Sequence, residues 1–210
     1  MAHTLYDLKP MFQAWLRPAV GELAAAGVTA NQVTLSALAA SIAIGAVVSV
    51  GVAAFELAWL FFLLPVWLPV RMAMNAIDGM LAREYGQASP TGAYLNELAD
   101  VVSDAALYAP FALVEPFGPW SVGVVIVASC ISELAGALGQ AVGATRRYDG
   151  PMGKSDRALV FGALGLCVGV VGPLSQAFFW AMPLVALLIG WNIVNRVRRG
   201  AAAAASRTGR

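Results

Sequence analysis

The stretch from Asn75 to Asp104, NAIDGMLAREYGQASPTGAYLNELADVVSD, decides how this chain folds. It sets polar and charged side chains at helical spacing inside segments otherwise apolar enough to cross a bilayer. Asn75, Asp78 and Ala82 fall on one face of a first helix. Asn96, Asp100 and Asp104 step by four along the next, so they also share a face. Carboxylates in such surroundings are costly to keep and are functional candidates by default.

Composition agrees with that setting. Of 210 residues 60% are hydrophobic and 12% charged, and the mean hydropathy is +0.74. A soluble domain carries about 25% charged residues. The expected class is a polytopic, all-α integral membrane protein; a soluble nucleotide-binding protein is excluded by the apolar segments. Cys130 and Cys167 lie in apolar runs and read as small packing residues, not a disulfide framework. The single histidine, His3, lies near the N-terminus, which argues against histidine or zinc chemistry.

Residues 5–24 read as an amphipathic helix lying in the membrane interface. Leu5, Leu8, Phe12, Trp15, Leu16, Val20 and Leu23 form its apolar stripe, with Lys9, Gln13 and Arg17 elsewhere. Asp7, Lys9, Pro10 and Arg17 interrupt the apolar run a signal peptide would need. Six spanning helices are expected to follow, at about 32–52, 56–85, 91–114, 119–144, 156–173 and 176–197. Asn31 is the expected cap of the first, and Pro65 and Pro69 the expected kinks of the second. Three regions result: a juxtamembrane helix over 1–28, a six-helix domain over 29–199, and a frayed basic tail over 200–210. Every Lys and Arg except Arg71 falls on one side of this layout, and the loops near 52–56 and 115–119 carry none. Both termini and the 145–157 loop are therefore expected in the cytoplasm; in a bacterium the membrane is the inner one.

The two polar faces belong to antiparallel helices joined by a short loop, so they can meet just inside the cytoplasmic boundary. Oxygen ligands from two helices suit a hard cation such as Mg²⁺ or Mn²⁺, which could hold a diphosphate and stabilise charge on a leaving phosphate. Gly79 leaves room for a ligand to approach the backbone, and Arg83 at the membrane edge could contact phosphate.

The spacing resembles the signature of the CDP-alcohol phosphotransferase family, D-x2-D-G-x2-A-R, eight residues, then G-x3-D-x3-D. The aligned positions are Asn75, Asp78, Gly79, Ala82, Arg83, Gly92, Asn96 and Asp100. Thr29 to Thr34, T-x-N-x-x-T, and the helix layout extend the likeness over most of the chain. The resemblance implies a transferase of phospholipid biosynthesis. It would pass the phosphate-bearing group of a CDP-alcohol, often CDP-diacylglycerol, to an acceptor hydroxyl and release CMP. In that reading Asp100 is the general base, and the metal ligands fall at Asn75, Asp78, Asn96 and Asp100. Asn75, Asp78, Gly79, Ala82 and Arg83 border the nucleotide. The resemblance also implies two divalent ions and, commonly, a homodimer.

Asn75 and Asn96 depart from the pattern, which has aspartates there. They keep a carbonyl oxygen but no charge, so one firmly held ion is expected, with a second bound weakly or only with substrate. Loss of activity, leaving a CDP-lipid-binding protein, is the rival reading. A small transporter is another, but it has no need of the D-G-x2-A-R spacing.

Two further clusters stand out. By helix rise, Arg71, Asp104 and Glu133 all lie about 18 Å below the same boundary. Arg71 is expected to pair with Asp104, Glu133 or both, since a lone charge at that depth is costly. In RRYDGPMGKSDR, Arg146, Lys154 and Arg157 form a candidate pocket for a phosphate on the acceptor or lipid; G-K-x-x-R resembles the stretch opening the fifth helix in the family. Positive-inside topology is the alternative role for this loop. Gly139/Gly143 and Gly165/Gly169 have the spacing of close helix contacts, within one chain or across a dimer. The acceptor stays open, with glycerol phosphate, inositol phosphate and serine all compatible.

Overall fold

The computed structural model describes residues 5–208, with side chains described for residues 11–206; His3 and Arg210 lie outside them. Among the described residues the chain is helical throughout, with no strand. In chain order the helices are α1 Leu5–Ala25, α2 Ala30–Phe55, α3 Leu63–Glu84, α4 Pro90–Tyr108, α5 Gly118–Ala141, α6 Lys154–Val171 and α7 Ala181–Thr208. Short 3₁₀ segments lead into α3 and α7 and follow α4. Four stretches are long and apolar enough to cross a membrane: Ala30–Phe55, Ala58–Glu84, Gly118–Ala141 and Gln176–Ser206. The other two expected spans, α4 and α6, carry the charged signature residues and the Lys154–Arg157 cluster, which lower their hydropathy.

The capping differs from the sequence expectation. Thr29 caps α2: its hydroxyl accepts from Gln32 N–H at 3.2 Å, and the Gln32 side chain accepts from Thr29 N–H at 2.8 Å. This reciprocal pair satisfies two orphan donors at once, which Asn31, already one residue inside the helix, cannot do. Pro90 stands at the first turn of α4, after the Ser89 cap. Nor does the chain fray at Gly200. The alanine run of 201–205 has the highest helix propensity available, and α7 continues through it to Thr208.

Large apolar side chains lie outside as well as inside the bundle, and polar ones are buried. On α5, Val124, Val127, Ile131, Leu134 and Leu138 are exposed, while Ser129, Ser132, Glu133 and Gly136 face inward. The apolar interior is a separate layer, in which Tyr108 stacks on Phe161 and Phe111 meets Phe61, Phe117 and Phe161 edge-on. α5 packs chiefly on α7, α2 on α4 and α3, and α3 on α6. Gly165 and Gly169 are used within the chain, against Phe61, Phe62 and Leu64. The stripe of α1 divides: Leu16 and Val20 pack on Met80 and Leu81 of α3, while Phe12 and Trp15 are exposed. Arg17 ties the helix down through two hydrogen bonds to Glu84, at 3.0 and 3.2 Å.

At Gly45 the backbone of α2 meets the Ala106 carbonyl so closely that a Cβ would overlap it, whereas Gly123 faces open space. Gly45→Val should therefore destabilise the protein by about 1–3 kcal/mol through overpacking. Gly123→Ala should be neutral or stabilising by roughly 0.5–1 kcal/mol. Thermal unfolding in detergent distinguishes the two.

Candidate active site

α3 and α4 bring the signature together. Asp78 of α3 and Asp100 of α4 are both buried. Thr34 of α2 donates to Asp78 Oδ2 at 2.8 Å, so the T-x-N-x-x-T stretch reaches the site through its last threonine. Asn75 Nδ2 lies 3.3 Å from Asp100 Oδ1. Asn96, one turn before Asp100 on α4, is half-buried, as are Asn75 and Ala82. Arg83 is exposed and folds back along α3; its guanidinium lies over Gly79, where a Cβ would come within 3.0 Å of it. Gly92 has the same kind of purpose: Asn31 Oδ1 and Ser89 Oγ occupy the space a side chain would need.

Behind these residues runs a buried ladder of charges. Arg71 donates to Asp104 Oδ1 at 2.5 Å, to the Asp100 carbonyl at 3.0 Å and, at 3.4 Å, to Asp100 Oδ1. Arg157, fully buried, bridges Asp104 Oδ2 and Glu133 Oε1, each at 2.9 Å. Glu133 also receives Arg146 at 3.1 Å and lies 3.5 Å from Arg196. Arg146 pairs again with Glu97, and Lys154 with Asp100 Oδ1.

Glu133 is thus not a partner of Arg71. One arginine stands between them, because α6 rather than α3 supplies the cation facing α5. Arg157, expected at a phosphate, has its terminal nitrogens on Asp104, Glu133 and the Met152 carbonyl. Lys154 and Arg146 remain at the edge of the site, part-buried and each on a carboxylate.

Sequence reasoning gave no site role to Arg196. It lies on α7, buried, and donates to the Ser132 carbonyl at 2.6 Å. The signal was present: Asn192 and Arg196 are one turn apart in an apolar helix, and Asn192 Oδ1 accepts from Ser132 Oγ at 2.8 Å. Among the described residues Arg146, Arg157 and Arg196 each keep a buried Nε–H without a partner. Gly136 and Gly139 let residues 144–147 lie close along α5, where Gly139 and Gly136 carbonyls accept from Ala144 and Arg147 N–H at 2.9 and 3.1 Å. Outside the apolar helices, Asp149 joins Arg147 to Arg199. Partial burial alone would raise the Asp149 carboxyl, but these two guanidiniums outweigh it and hold the group below the ordinary carboxylate range.

Residues 27–194 match the CDP-alcohol phosphatidyltransferase profile. The chain belongs to that family. It is 42% identical over 195 residues to the inner membrane protein YnbA of Escherichia coli, covering 93% of this chain and 95% of that one. Its fold is similar to that of Mycobacterium tuberculosis phosphatidylinositol phosphate synthase, a crystal structure with CDP-DAG bound. The TM-score is 0.69 at 21% identity, over 87% of this chain and 92% of that one. Family membership and the apolar helices make this an integral membrane protein. In this phosphatidyltransferase-family chain, the signature residues sit at the boundary between an apolar bundle and a charged layer.

The donor set bears on what the site can hold. Asp78 and Asp100 contribute carboxylates; Asn75 and Asn96 contribute only amides, half the charge of four carboxylates. Among the described residues no three His, Cys, Asp or Glu side chains gather as they would around a metal.

Arg157→Leu would strand Asp104 and Glu133 without their shared cation. The expected loss is about 3–5 kcal/mol. Arg199→Ala, at an exposed ion pair, should cost less than about 1 kcal/mol. Unfolding midpoints of the purified variants in detergent check both.

Proposed function

We propose that this protein transfers the phosphatidyl group of a CDP-alcohol, CDP-diacylglycerol, to an acceptor alcohol, releasing CMP in phospholipid synthesis. The observation that carries the reading is the two buried carboxylates Asp78 and Asp100, at family spacing on successive helices, with Thr34 on the first and Asn75 and Lys154 on the second. The bundle would span six times, α4 and α6 turning their charges inward. The positive-inside rule puts both termini and the site at the cytoplasmic face, with α1 in the interface.

In this reaction the acceptor hydroxyl attacks the phosphorus that carries diacylglycerol. The new P–O bond forms as the bond to the bridging oxygen breaks, and that oxygen leaves with CMP. The hydroxyl proton passes to Asp100. The three donors on Asp100 all reach Oδ1, so Oδ2 is the oxygen left to take it. Arg83, drawn back over Gly79, and the half-buried wall of Asn75 and Ala82 would border the cytidine diphosphate.

Asp78, Asp100 and the carbonyls of Asn75 and Asn96 suit a Mg²⁺ or Mn²⁺ ion. When bound, such an ion neutralises charge on the diphosphate and on the departing phosphate. Lys154 and Arg146 add fixed positive charge beside it.

CMP release from CDP-diacylglycerol, measured on purified protein with Mg²⁺ or Mn²⁺ and a panel of acceptor alcohols, tests the reading. Acceptor-dependent release is expected, falling by about 10²–10⁴-fold in Asp100→Asn. Metal-dependent CMP binding with no release for any acceptor would instead mark a CDP-lipid-binding protein.

A further inference from the structure

Asp100 Oδ1 is crowded in an unusual way. Lys154 Nζ, Arg71 Nη2 and Asn75 Nδ2 all point at it. A carboxylate oxygen offers about two lone-pair sites, so three N–H donors saturate it. None of the three reaches Oδ2. The two oxygens of one carboxylate are therefore different: one is committed to protein cations and an amide, the other is left to ligand or proton.

Asn75 explains why this works. A carboxylate at that position would meet Asp100 as a like charge and would need a cation between them. An amide removes the charge and supplies an N–H in the same direction. Lys154 then brings its ammonium from the first residue of α6 to the oxygen where that cation would have sat. A divalent ion arriving there would have to displace an ammonium, an amide N–H and a guanidinium, all presenting their positive ends. Asn96 lowers the charge of the set further.

We propose that this chain works with a single divalent cation, and that the Lys154 ammonium with the Asn75 amide replaces a second one at Asp100 Oδ1. The inference rests on the divalent-cation reading above and specifies it. Lys154 would bridge Asp100 and a substrate phosphate oxygen, a contact independent of metal supply. The remaining ion would sit on Asp78 with the carbonyls of Asn75 and Asn96, which leaves Asp100 Oδ2 to take the acceptor proton.

The test is a count. Mn²⁺ titration of the full chain in detergent with CMP, followed by the electron paramagnetic resonance of free Mn²⁺, should saturate at one ion per chain. A variant carrying Asn75→Asp, Asn96→Asp and Lys154→Met should saturate at two. Two ions in the unaltered protein, none, or a count of one in the variant would each overturn the proposal. Should the variant fail to fold, the count for the unaltered protein still decides. The titration needs neither acceptor nor turnover, so a failure of CMP release leaves its outcome readable.

Discussion

Asp104 sits buried between two arginines, Arg71 of α3 and Arg157 of α6, and the rest of the structure depends on that arrangement. A charge at this depth cannot be left alone, since its desolvation is repaid only by well-placed partners. Once Asp104 takes both arginines, α4 is held to α3 on one side and α6 on the other. Arg157 then needs Glu133, which fixes α5, and Glu133 in turn collects Arg146 and Arg196. The ladder joins helices that have little else to draw them together, because lipid satisfies their apolar faces as well as a neighbour would.

The position of the proposed base is a by-product of that register. Asp100 is one turn before Asp104, and Arg71 touches both. Setting Asp104 on Arg71 therefore sets Asp100 opposite Asn75 and Asp78. The same guanidinium that secures the fold orients the proposed base, so stability and chemistry are coupled at one side chain. Where the ladder reaches the edge of the site, Lys154 is part-buried and pairs with Asp100.

Much of this was legible in the sequence. Helical spacing grouped Asn75 with Asp78 and Asn96 with Asp100, and α2, α5 and α6 begin and end close to the boundaries read from hydropathy and breakers, whereas α3 and α7 start later than expected, α4 ends earlier and α7 runs on to Thr208. Counting rise from the boundary put Arg71 and Asp104 at one depth, where they meet. Depth says nothing about rotation, however. Glu133 shares that depth but faces Arg157, because the turn of α5 about its axis is set by packing on α7. Lys154 on Asp100 was hidden for a related reason: the two are distant in sequence and meet only because the start of α6 comes up beside the middle of α4. The Thr29 cap and the long α7 were readable from local chemistry, and were missed by giving weight to Asn31 and Gly200 in place of the Thr-x-x-Gln box and the alanine run.

A double-mutant cycle at Arg71 and Asp104, read as thermal unfolding in detergent, tests the central claim most directly. Arg71→Met and Asp104→Leu should each be strongly destabilising, because each leaves a buried charge short of a partner, while the double variant should recover much of the loss. Small, additive losses like those of exposed residues would contradict the view that this pairing organises the bundle.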